Sequence, residues 1–229
     1  DFFGEVIKGG VNDGRILLRN YISPYCKGFG SGLNAGWYNT AQTHSLLRPD
    51  LTLSFNSVFV PKADKSFDVS SLGLTTMEPA DPTKTITPTV AGESNDGPEM
   101  NVYTDIAGVR YPAGTFRMPA GTGVGFVPVP TAQLGIGLPL KTDVMVRWIP
   151  TLNLSNVGKL GLWGVGIKHD FKQWIPGVSA LPFDMSFLFG YTQLKTQFDL
   201  NVDPDPNAQQ TGANYEDQNL TLEVNSYTF

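Results

Sequence analysis

Bulky apolar residues alternate with small or charged residues along two segments between Leu160 and Leu200. The first segment alternates Trp163, Val165 and Ile167 with Gly164, Gly166 and Lys168. The second alternates Phe183, Met185, Phe187, Phe189 and Tyr191 with Asp184, Ser186, Leu188 and Gly190. A period of two predicts strands, and Trp174 and Pro176 lie in the connection between them. Small inward and bulky outward residues with an aromatic turn are typical of a membrane β-barrel with its aromatic girdle.

Further strands are predicted on both sides of this pair. Leu51–Val60 is predicted to be a strand because apolar and polar residues alternate up to Asn56, although Val58 and Val60 fall on the opposite parity. Leu220–Val224 alternates in the same way, and Tyr227 and Phe229 fall on the opposite parity there. Between them, alternation over Ala132–Leu140 and Val144–Trp148 predicts a hairpin joined around Pro139–Asp143. Within that hairpin we expect Arg147 and Asp143 to face the lumen. The sequence holds roughly ten to twelve strand candidates, and single-chain bacterial barrels close with an even number of strands.

The N-terminal part of the chain is predicted to be helical. Asn12 and Asp13 are suited to cap a helix whose apolar residues recur at helical spacing, and Pro24 is expected to end it. Because glycines interrupt this stretch, we expect a short broken pair of helices. The glycine-rich segment Gly28–Ala41 predicts curved or closely approaching backbone.

We therefore predict an all-β fold, an antiparallel outer-membrane β-barrel, formed by residues 1–229 as a single domain. Residues 1–40 are expected to plug the lumen or to lie at its periplasmic mouth, and residues 41–229 to supply the strands. Either the barrel is small, or the chain is a fragment that lacks the final strands.

Two long polar loops are predicted, over Met77–Met100, with one strand near Lys84–Val90, and over Asn201–Asn219. Such loops are typical of one side of an outer-membrane barrel, where they contact a ligand or a partner or are simply solvated. The second loop contains four acidic residues whose spacing is not that of a known calcium loop: Asp203, Asp205, Glu216 and Asp217. No metal site is predicted.

Composition narrows the classes of function. The net charge of −5 and the lack of a Lys/Arg cluster argue against a nucleic-acid partner. The single cysteine, Cys26, permits no internal disulfide. No run of 18 apolar residues occurs, so a barrel is the one way in which this chain is expected to span a bilayer. A sequence that opens at Asp1 without Met is typical of a processed exported protein, so we expect a location in the bacterial outer membrane.

Enzymatic chemistry has little support in the sequence. His44 and His169 are its two histidines, and no nucleophile elbow or His-Glu-x-x-His motif is present. His169 and Asp170 would point to opposite faces of a strand, so they predict no acid–base pair, and a triad of His169 with Ser186 and Asp184 has no supporting signal. We therefore predict no catalytic residue and no cofactor. Instead, Lys168, His169, Asp170 and Lys172 are interpreted as a charged rim beside the interface anchor Trp174.

Four segments resemble an uncharacterised family of outer-membrane proteins from Bacteroidetes-type bacteria, itself distantly similar to outer-membrane transporters of long-chain fatty acids and aromatic hydrocarbons. These segments are residues 27–41, 51–67, 127–150 and 161–192, of which GIKHDFKQWIPG is the most specific part. The resemblance implies a monomeric barrel with its N-terminal segment in or beneath the lumen, passing hydrophobic molecules. Because the fatty-acid transporters are much longer, no ligand-binding residue is carried over.

Two functions stay open from the sequence. The first is passive transport of hydrophobic or small solutes through a barrel that contacts membrane lipids. The second is a structural or adaptor barrel that binds other outer-membrane proteins. An apolar pocket left by Phe29, Leu33 and Trp37 would favour transport, whereas a filled interior would favour the adaptor. A soluble β-sandwich is less favoured, because its outward aromatic residues would need a second covering sheet.

Overall fold

A computed structural model describes residues 11–106, 108–154, 158–178, 181–200 and 218–229. The chain forms two compact units, which we treat separately. The described residues of the first unit are 11–28, 59–127 except 107, 199–200 and 218–220. Those of the second unit are 29–58, 128–154, 158–178, 181–198 and 221–229.

The elements are one long helix and eleven strands in the described part of the chain. Helix α1 spans Val11–Asn34. The strands are β1 (Pro49–Phe59), β2 (Ser66–Asp68), β3 (Met77–Pro79), β4 (Ile86–Pro88), β5 (Glu99–Ile106), β6 (Val109–Arg117), β7 (Phe126–Leu138), β8 (Thr142–Leu154), β9 (Gly158–Asp170), β10 (Ser186–Leu200) and β11 (Gln218–Thr228). Three short 3-10 helices cover Lys62–Asp64, Val69–Leu72 and Lys172–Trp174. The prediction of a mostly antiparallel β-fold with an N-terminal helix is confirmed.

The first unit contains two small sheets around an apolar core. Strands β3, β5 and β6 form one sheet, and β2 and β4 form the other. The core brings Leu17 of α1 together with residues of the three-stranded sheet and of the connections: Val69, Met77, Met100, Val102, Phe116 and Met118. Phe67 of β2 packs against this core. The segment predicted as a long polar loop, Met77–Met100, therefore folds against this core. The strand predicted near Lys84–Val90 is confirmed as β4.

Six strands form the principal sheet in the order β1-β7-β8-β9-β10-β11. The predicted hairpin around Pro139–Asp143 is confirmed by the antiparallel pairing of Gln133 with Arg147 and of Leu138 with Thr142. Strand β9 pairs antiparallel with β8 and with β10. In the described residues, β1 and β11 each pair with one neighbour in this sheet, so the predicted closed barrel stays a prediction.

The principal sheet has a polar buried face and an apolar exposed face. On β9, Gly164, Gly166 and Lys168 are buried, whereas the intervening residues are exposed. Exposed apolar residues continue across the neighbouring strands: Phe55, Leu134, Val146, Trp148, Trp163, Val165, Ile167, Phe187 and Tyr227. The alternation predicted from the sequence is therefore confirmed, and it is inverted relative to a sheet that covers an apolar core.

Helix α1 continues through Pro24 to Asn34, so the prediction that Pro24 ends the helix is wrong. Proline removes one helical hydrogen bond and crowds the preceding turn. Pro24 is itself buried, and the buried side of the helix goes on through Gly28 and Gly32 to Leu33. Because this side packs closely on neighbouring strands, tertiary contacts outweigh the local cost of the proline. The predicted break into two helices is not seen within Val11–Asn34.

Two helix glycines differ in the space around them and provide a matched pair of variants. A Cβ at Gly32 would lie 2.5 Å from Cγ2 of Val129, whereas a Cβ at Gly30 would lie 3.9 Å from Cγ1 of Val224. We expect Gly30→Ala to raise the free energy of unfolding by about 0.5–1 kcal/mol through lower backbone entropy of the unfolded chain. We expect Gly32→Ala to lower it by about 1–3 kcal/mol through overpacking. Urea-induced unfolding of the full chain measures both, and equal effects of the two substitutions would contradict the close packing at Gly32.

Asp13 binds a loop of the first unit rather than capping its own helix. Its carboxylate accepts hydrogen bonds from the backbone N–H groups of Thr75 and Thr76, at 2.7 and 2.6 Å, and from both hydroxyls. Burial alone would raise the pKa of Asp13, but these four hydrogen bonds outweigh it and hold the pKa below its usual 3.8. The prediction that Asp13 caps the helix is therefore replaced by a helix-to-loop contact.

The lowered pKa of Asp13 makes the stability of the fold depend on pH. A carboxylate with a depressed folded pKa contributes stability above its unfolded pKa of about 3.9, and that stability is lost as the pH falls through the folded value. We expect Asp13→Asn to lower the free energy of unfolding by about 1–3 kcal/mol at pH 7 and to flatten its decline below about pH 4. The matched control is Asp105→Asn, whose side chain is exposed. Urea-induced unfolding at a series of pH values measures this, and identical profiles for the wild type and Asp13→Asn would contradict it.

Candidate functional site

The candidate site is formed where residues 33–45, which we call the inner segment, lie on the buried face of the principal sheet. Side chains from β7, β8, β9 and β10 bind backbone atoms of this segment. The donors are charged or polar groups on a buried sheet face, so each one needs a partner there. The backbone carbonyls of the inner segment supply most of these partners.

Arg147 of β8 binds the end of helix α1. Its Nη1 donates to the carbonyl oxygen of Leu33 at 2.8 Å, its Nη2 to that of Ala35 at 2.9 Å, and its Nε to Oε1 of Gln133 at 2.8 Å. The last carbonyls of a helix have no partner within the helix and carry partial negative charge. No basic residue lies in the last turn of α1, so Arg147 supplies the cation from the sheet. Gly36, with φ of 73°, follows as the left-handed residue that commonly ends a helix.

Trp37 is the apolar anchor of the inner segment and is fully buried. The guanidinium carbon of Arg147 lies 3.8 Å from its ring centroid. Cβ atoms at Gly166 and Gly190, which pair across β9 and β10, would lie 2.5 and 2.6 Å from ring atoms of Trp37. The ring therefore occupies a slot that two facing glycines leave in the sheet. Gln133 fixes the backbone of Trp37 by donating Nε2 to its carbonyl oxygen at 3.1 Å.

A buried ion pair holds the far end of the inner segment. Nζ of Lys168 lies 3.1 Å from Oδ2 of Asp143 and donates to the carbonyl oxygens of Gln42 and Thr40, at 2.7 and 3.4 Å. The backbone N–H of His44 donates to Oδ1 of Asp143 at 2.9 Å, and its Nδ1 lies 3.0 Å from Oδ2. Asp143 is fully buried, so the lysine and the histidine together compensate its desolvation.

Two cavities border the inner segment. One, of about 200 Å³, lies toward β1 and β7 and is lined by His44, Asp50, Thr52, Gln133 and Gly135 among others. The other, of about 330 Å³, lies toward β10 and is lined by Phe171, Asp184, Met185, Ser186 and Leu188 among others. Tyr38, Thr40 and Lys168 line both cavities, so the inner segment separates them. An apolar pocket left by Phe29, Leu33 and Trp37 was the feature expected to favour transport. Leu33 and Trp37 are instead fully buried.

The sequence placed some of these residues correctly. Arg147 and Asp143 lie on the buried face, as the alternation along β8 predicts. The assignment of Lys168 to a charged rim is wrong, because Lys168 is buried and binds Asp143 and the inner segment. The same alternation that predicts an inward Gly164 and Gly166 also predicts an inward Lys168, and the structure follows it.

His169 is bound to a residue of the neighbouring strand and to one just beyond the end of its own strand. Its Nδ1 lies 2.9 Å from the hydroxyl of Thr142, and its Nε2 accepts from the indole of Trp174. Asp170 instead forms an ion pair with Lys141 at 3.1 Å. Ser186 donates to the carbonyl oxygen of Ala41, so it serves the inner segment.

The roles of Gln133 and His44 were missed by the sequence analysis. Gln133 lies on the inward parity of β7, which is the one signal that could have revealed it. His44 lies in the inner segment outside any regular element, and its partner Asp143 is 99 residues away. Such a pairing leaves no local pattern in the sequence.

No group of three or more His, Cys, Asp or Glu residues lies close enough to hold a metal ion in the described part of the chain. The acidic loop Asn201–Asn219, with Asp203, Asp205, Glu216 and Asp217, lies outside the described residues except for its last two positions. Across the described ranges, no helix has both the length and the apolar character that crossing a membrane requires.

The fold and the site define a predominantly antiparallel β-protein whose N-terminal helix and inner segment are bound to the polar face of its largest sheet. A family model described as a family of unknown function, DUF6588, matches residues 2–229. The chain belongs to that family. No curated protein and no solved structure matches the chain.

Proposed function

We propose that the protein is a β-barrel of the bacterial outer membrane that passively transports hydrophobic or small solutes. The observation that carries this proposal is the inverted principal sheet, with buried Arg147, Asp143 and Lys168 on one face and large exposed apolar residues on the other. In water such an exposed face would promote aggregation, whereas a bilayer would cover it. Transmembrane strands have this pattern of apolar residues outside and polar residues inside.

Aromatic residues are positioned as the girdles of a membrane protein would be. Trp148 pairs with Trp163, and Tyr191 packs edge-on against Trp163 with 5.4 Å between ring centroids. Tyr227 extends this row, 5.2 Å from Tyr191. Trp174 stacks on His169 beyond the opposite end of β9. From Trp163 to His169 the strand rises by about 20 Å, at about 3.3 Å per residue, and the outward residues between them are apolar. Indole and phenol rings favour the two interfaces of a bilayer.

Transport requires that the inner segment move or leave a route beside it. The two cavities are separated by Tyr38 and Thr40, so displacement of these residues would join them. The buried face of the sheet is polar and rich in glycine, which suits a wetted passage more than a solid core. The proposed route therefore runs along this face, with the inner segment as its plug.

Membrane insertion and transport are tested on the full chain. We expect the protein to require detergent for extraction from membranes, and reconstituted liposomes to swell faster in small solutes than liposomes without protein. A chain that remains soluble and monomeric without detergent would overturn the membrane assignment. A chain that inserts but leaves permeability unchanged would overturn transport and keep the membrane assignment.

A second candidate function, an adaptor for other outer-membrane proteins, is favoured by the filled interior. Trp37 and Leu33 are fully buried beside the sheet, and the two cavities that border the inner segment have volumes of about 200 and 330 Å³. In the first unit, Val109 and Tyr111 of β6 are exposed apolar residues that suit a protein contact. Purification in mild detergent would distinguish the two functions. Stoichiometric partner proteins together with unchanged liposome permeability would favour the adaptor.

A further inference from the structure

Several polar side chains line the smaller cavity beside the inner segment, and the contacts described above do not use them completely. It has a volume of about 200 Å³, and Tyr38, His44, Asp50, Thr52, Gln133 and Gly135 contribute to its lining. This volume equals about six or seven water molecules, at about 30 Å³ each. It is below the range of about 300–1,000 Å³ that is common for drug-sized ligands. The size therefore excludes a long acyl chain and admits a single small ring.

The N–H donors of Gln133 and Lys168 beside this cavity are largely engaged, whereas Nε1 of Trp37, which also lines it, is buried without a hydrogen-bond partner among the described residues. Gln133 donates Nε2 to the carbonyl of Trp37, and its Oε1 accepts from Arg147. Lys168 donates to Asp143, Gln42 and Thr40. These two side chains therefore have little capacity left to bind a ligand that needs donors.

Hydrogen-bond acceptors, in contrast, remain available. The carboxylate of Asp143 can only accept, so Nδ1 of His44 carries a proton in this contact. Asp50 accepts from the hydroxyl of Thr52 through Oδ2 at 2.8 Å. In the described residues, neither Nε2 of His44 nor Oδ1 of Asp50 has a hydrogen-bond partner. The cavity thus favours a ligand whose groups both donate and accept hydrogen bonds.

The cationic side chains beside the cavity are already bound. Lys168 is paired with Asp143, and the guanidinium of Arg147 donates to the carbonyl oxygens of Leu33 and Ala35. An uncharged ligand is therefore favoured over a carboxylate, which would need a free cation. Tyr38, whose side chain is largely exposed, offers an aromatic ring at the wall.

We propose that this cavity binds a small uncharged polyol of monosaccharide size. One of its hydroxyl groups would donate to Asp50, and another would share a hydrogen bond with Nε2 of His44, as donor or as acceptor. The inference rests on the proposed function in one respect, since it takes the bound polyol to be a solute that the protein passes. It names a substrate class that the membrane assignment alone does not give.

Two substitutions and one control test the proposal. Asp50→Asn keeps the shape and removes the charge that strengthens the hydrogen bond. Gly135→Ala places a methyl group in the cavity, and its Cβ would meet no atom closer than Cγ of Met145 at 3.6 Å, so the strand tolerates it. Gly30→Ala, which lines neither cavity, is the control.

The measurement is isothermal titration calorimetry of the detergent-purified full chain with D-glucose, with propylamine and butyrate as charged comparators. We expect D-glucose to bind in preference to both comparators, with about tenfold weaker binding by Asp50→Asn and at least fivefold weaker binding by Gly135→Ala. Gly30→Ala should bind as the wild type does. A melting temperature no lower than that of the wild type in each variant separates a lost site from a lost fold.

Three outcomes would overturn the proposal: no binding of D-glucose by the wild type, equal affinity in wild type, Asp50→Asn and Gly135→Ala, or preference for propylamine or butyrate. The same preparation is reconstituted in liposomes. A protein that inserts and permits swelling but does not bind D-glucose would overturn the polyol site alone. A protein that needs no detergent would overturn the proposed function whatever its calorimetry.

Discussion

Replacement of Arg147 by Met is expected to lower the free energy of unfolding by about 3–5 kcal/mol. The guanidinium satisfies the carbonyls of Leu33 and Ala35 and the amide oxygen of Gln133, all within 2.9 Å. Methionine keeps much of the side-chain volume but leaves these acceptors without a donor. Each buried acceptor without a partner costs about 1–3 kcal/mol of folding free energy. Urea-induced unfolding from detergent micelles measures the loss. Liposome swelling with the same variant should be faster than with wild type, because the plug is less firmly held.

The matched control for Arg147 is Arg110→Met. Arg110 is partly exposed, stacks 4.0 Å from the ring centroid of Tyr103 and lies 3.5 Å from Glu78. Exposed contacts of this kind contribute less than about 1 kcal/mol. A similar loss of stability in both variants would show that arginine as such, rather than its buried carbonyl partners, determines the effect.

Trp37→Ala is the second substitution with a large expected effect. Removing a fully buried tryptophan creates a cavity and costs about 3–5 kcal/mol. The slot it leaves is bounded on the sheet by Gly166 and Gly190, which have no side chains to fill it. We expect lower stability in urea and faster solute entry into liposomes than for the wild type.

A double-mutant cycle tests whether the lack of a side chain at Gly166 makes room for the ring of Trp37. Gly166→Ala alone should be strongly destabilising, because its Cβ would lie 2.5 Å from Cζ3 of Trp37. In the Trp37→Ala background the same substitution should have little effect, or should stabilise the strand. Additive effects of the two substitutions would contradict the fit of the ring between the glycines.

The sheet was predictable from the sequence because its signal is local. Period-two alternation placed Gly164 and Gly166 inside and Trp163 and Val165 outside, and it placed Arg147 and Asp143 on the buried face. The hairpin between β7 and β8 followed from two alternating runs separated by a short turn. Each of these inferences needs only residues close together in the chain.

The remaining features depend on contacts between distant residues. Local sequence rules predict that the helix ends at Pro24. The helix continues beyond it because Gly28 packs against Val127 and Gly32 packs against Val129. Met77 and Met100 were assigned to a polar loop because their apolar neighbours in the core come from other elements. Lys168 was assigned to a charged rim although the alternation along its strand places its side chain on the inward face. His44 has no local signal, since its role depends on where Asp143 lies.

The anchors of the inner segment join residues that are far apart in sequence. Leu33 and Arg147 are 114 positions apart, Gln42 and Lys168 are 126 apart, and His44 and Asp143 are 99 apart. Closing such long loops costs entropy before any contact is gained. A half-docked segment would leave Arg147 or Lys168 desolvated without its acceptors. Docking is therefore cooperative: the segment is bound at all of its anchors or at none, and partly released states are rarely populated.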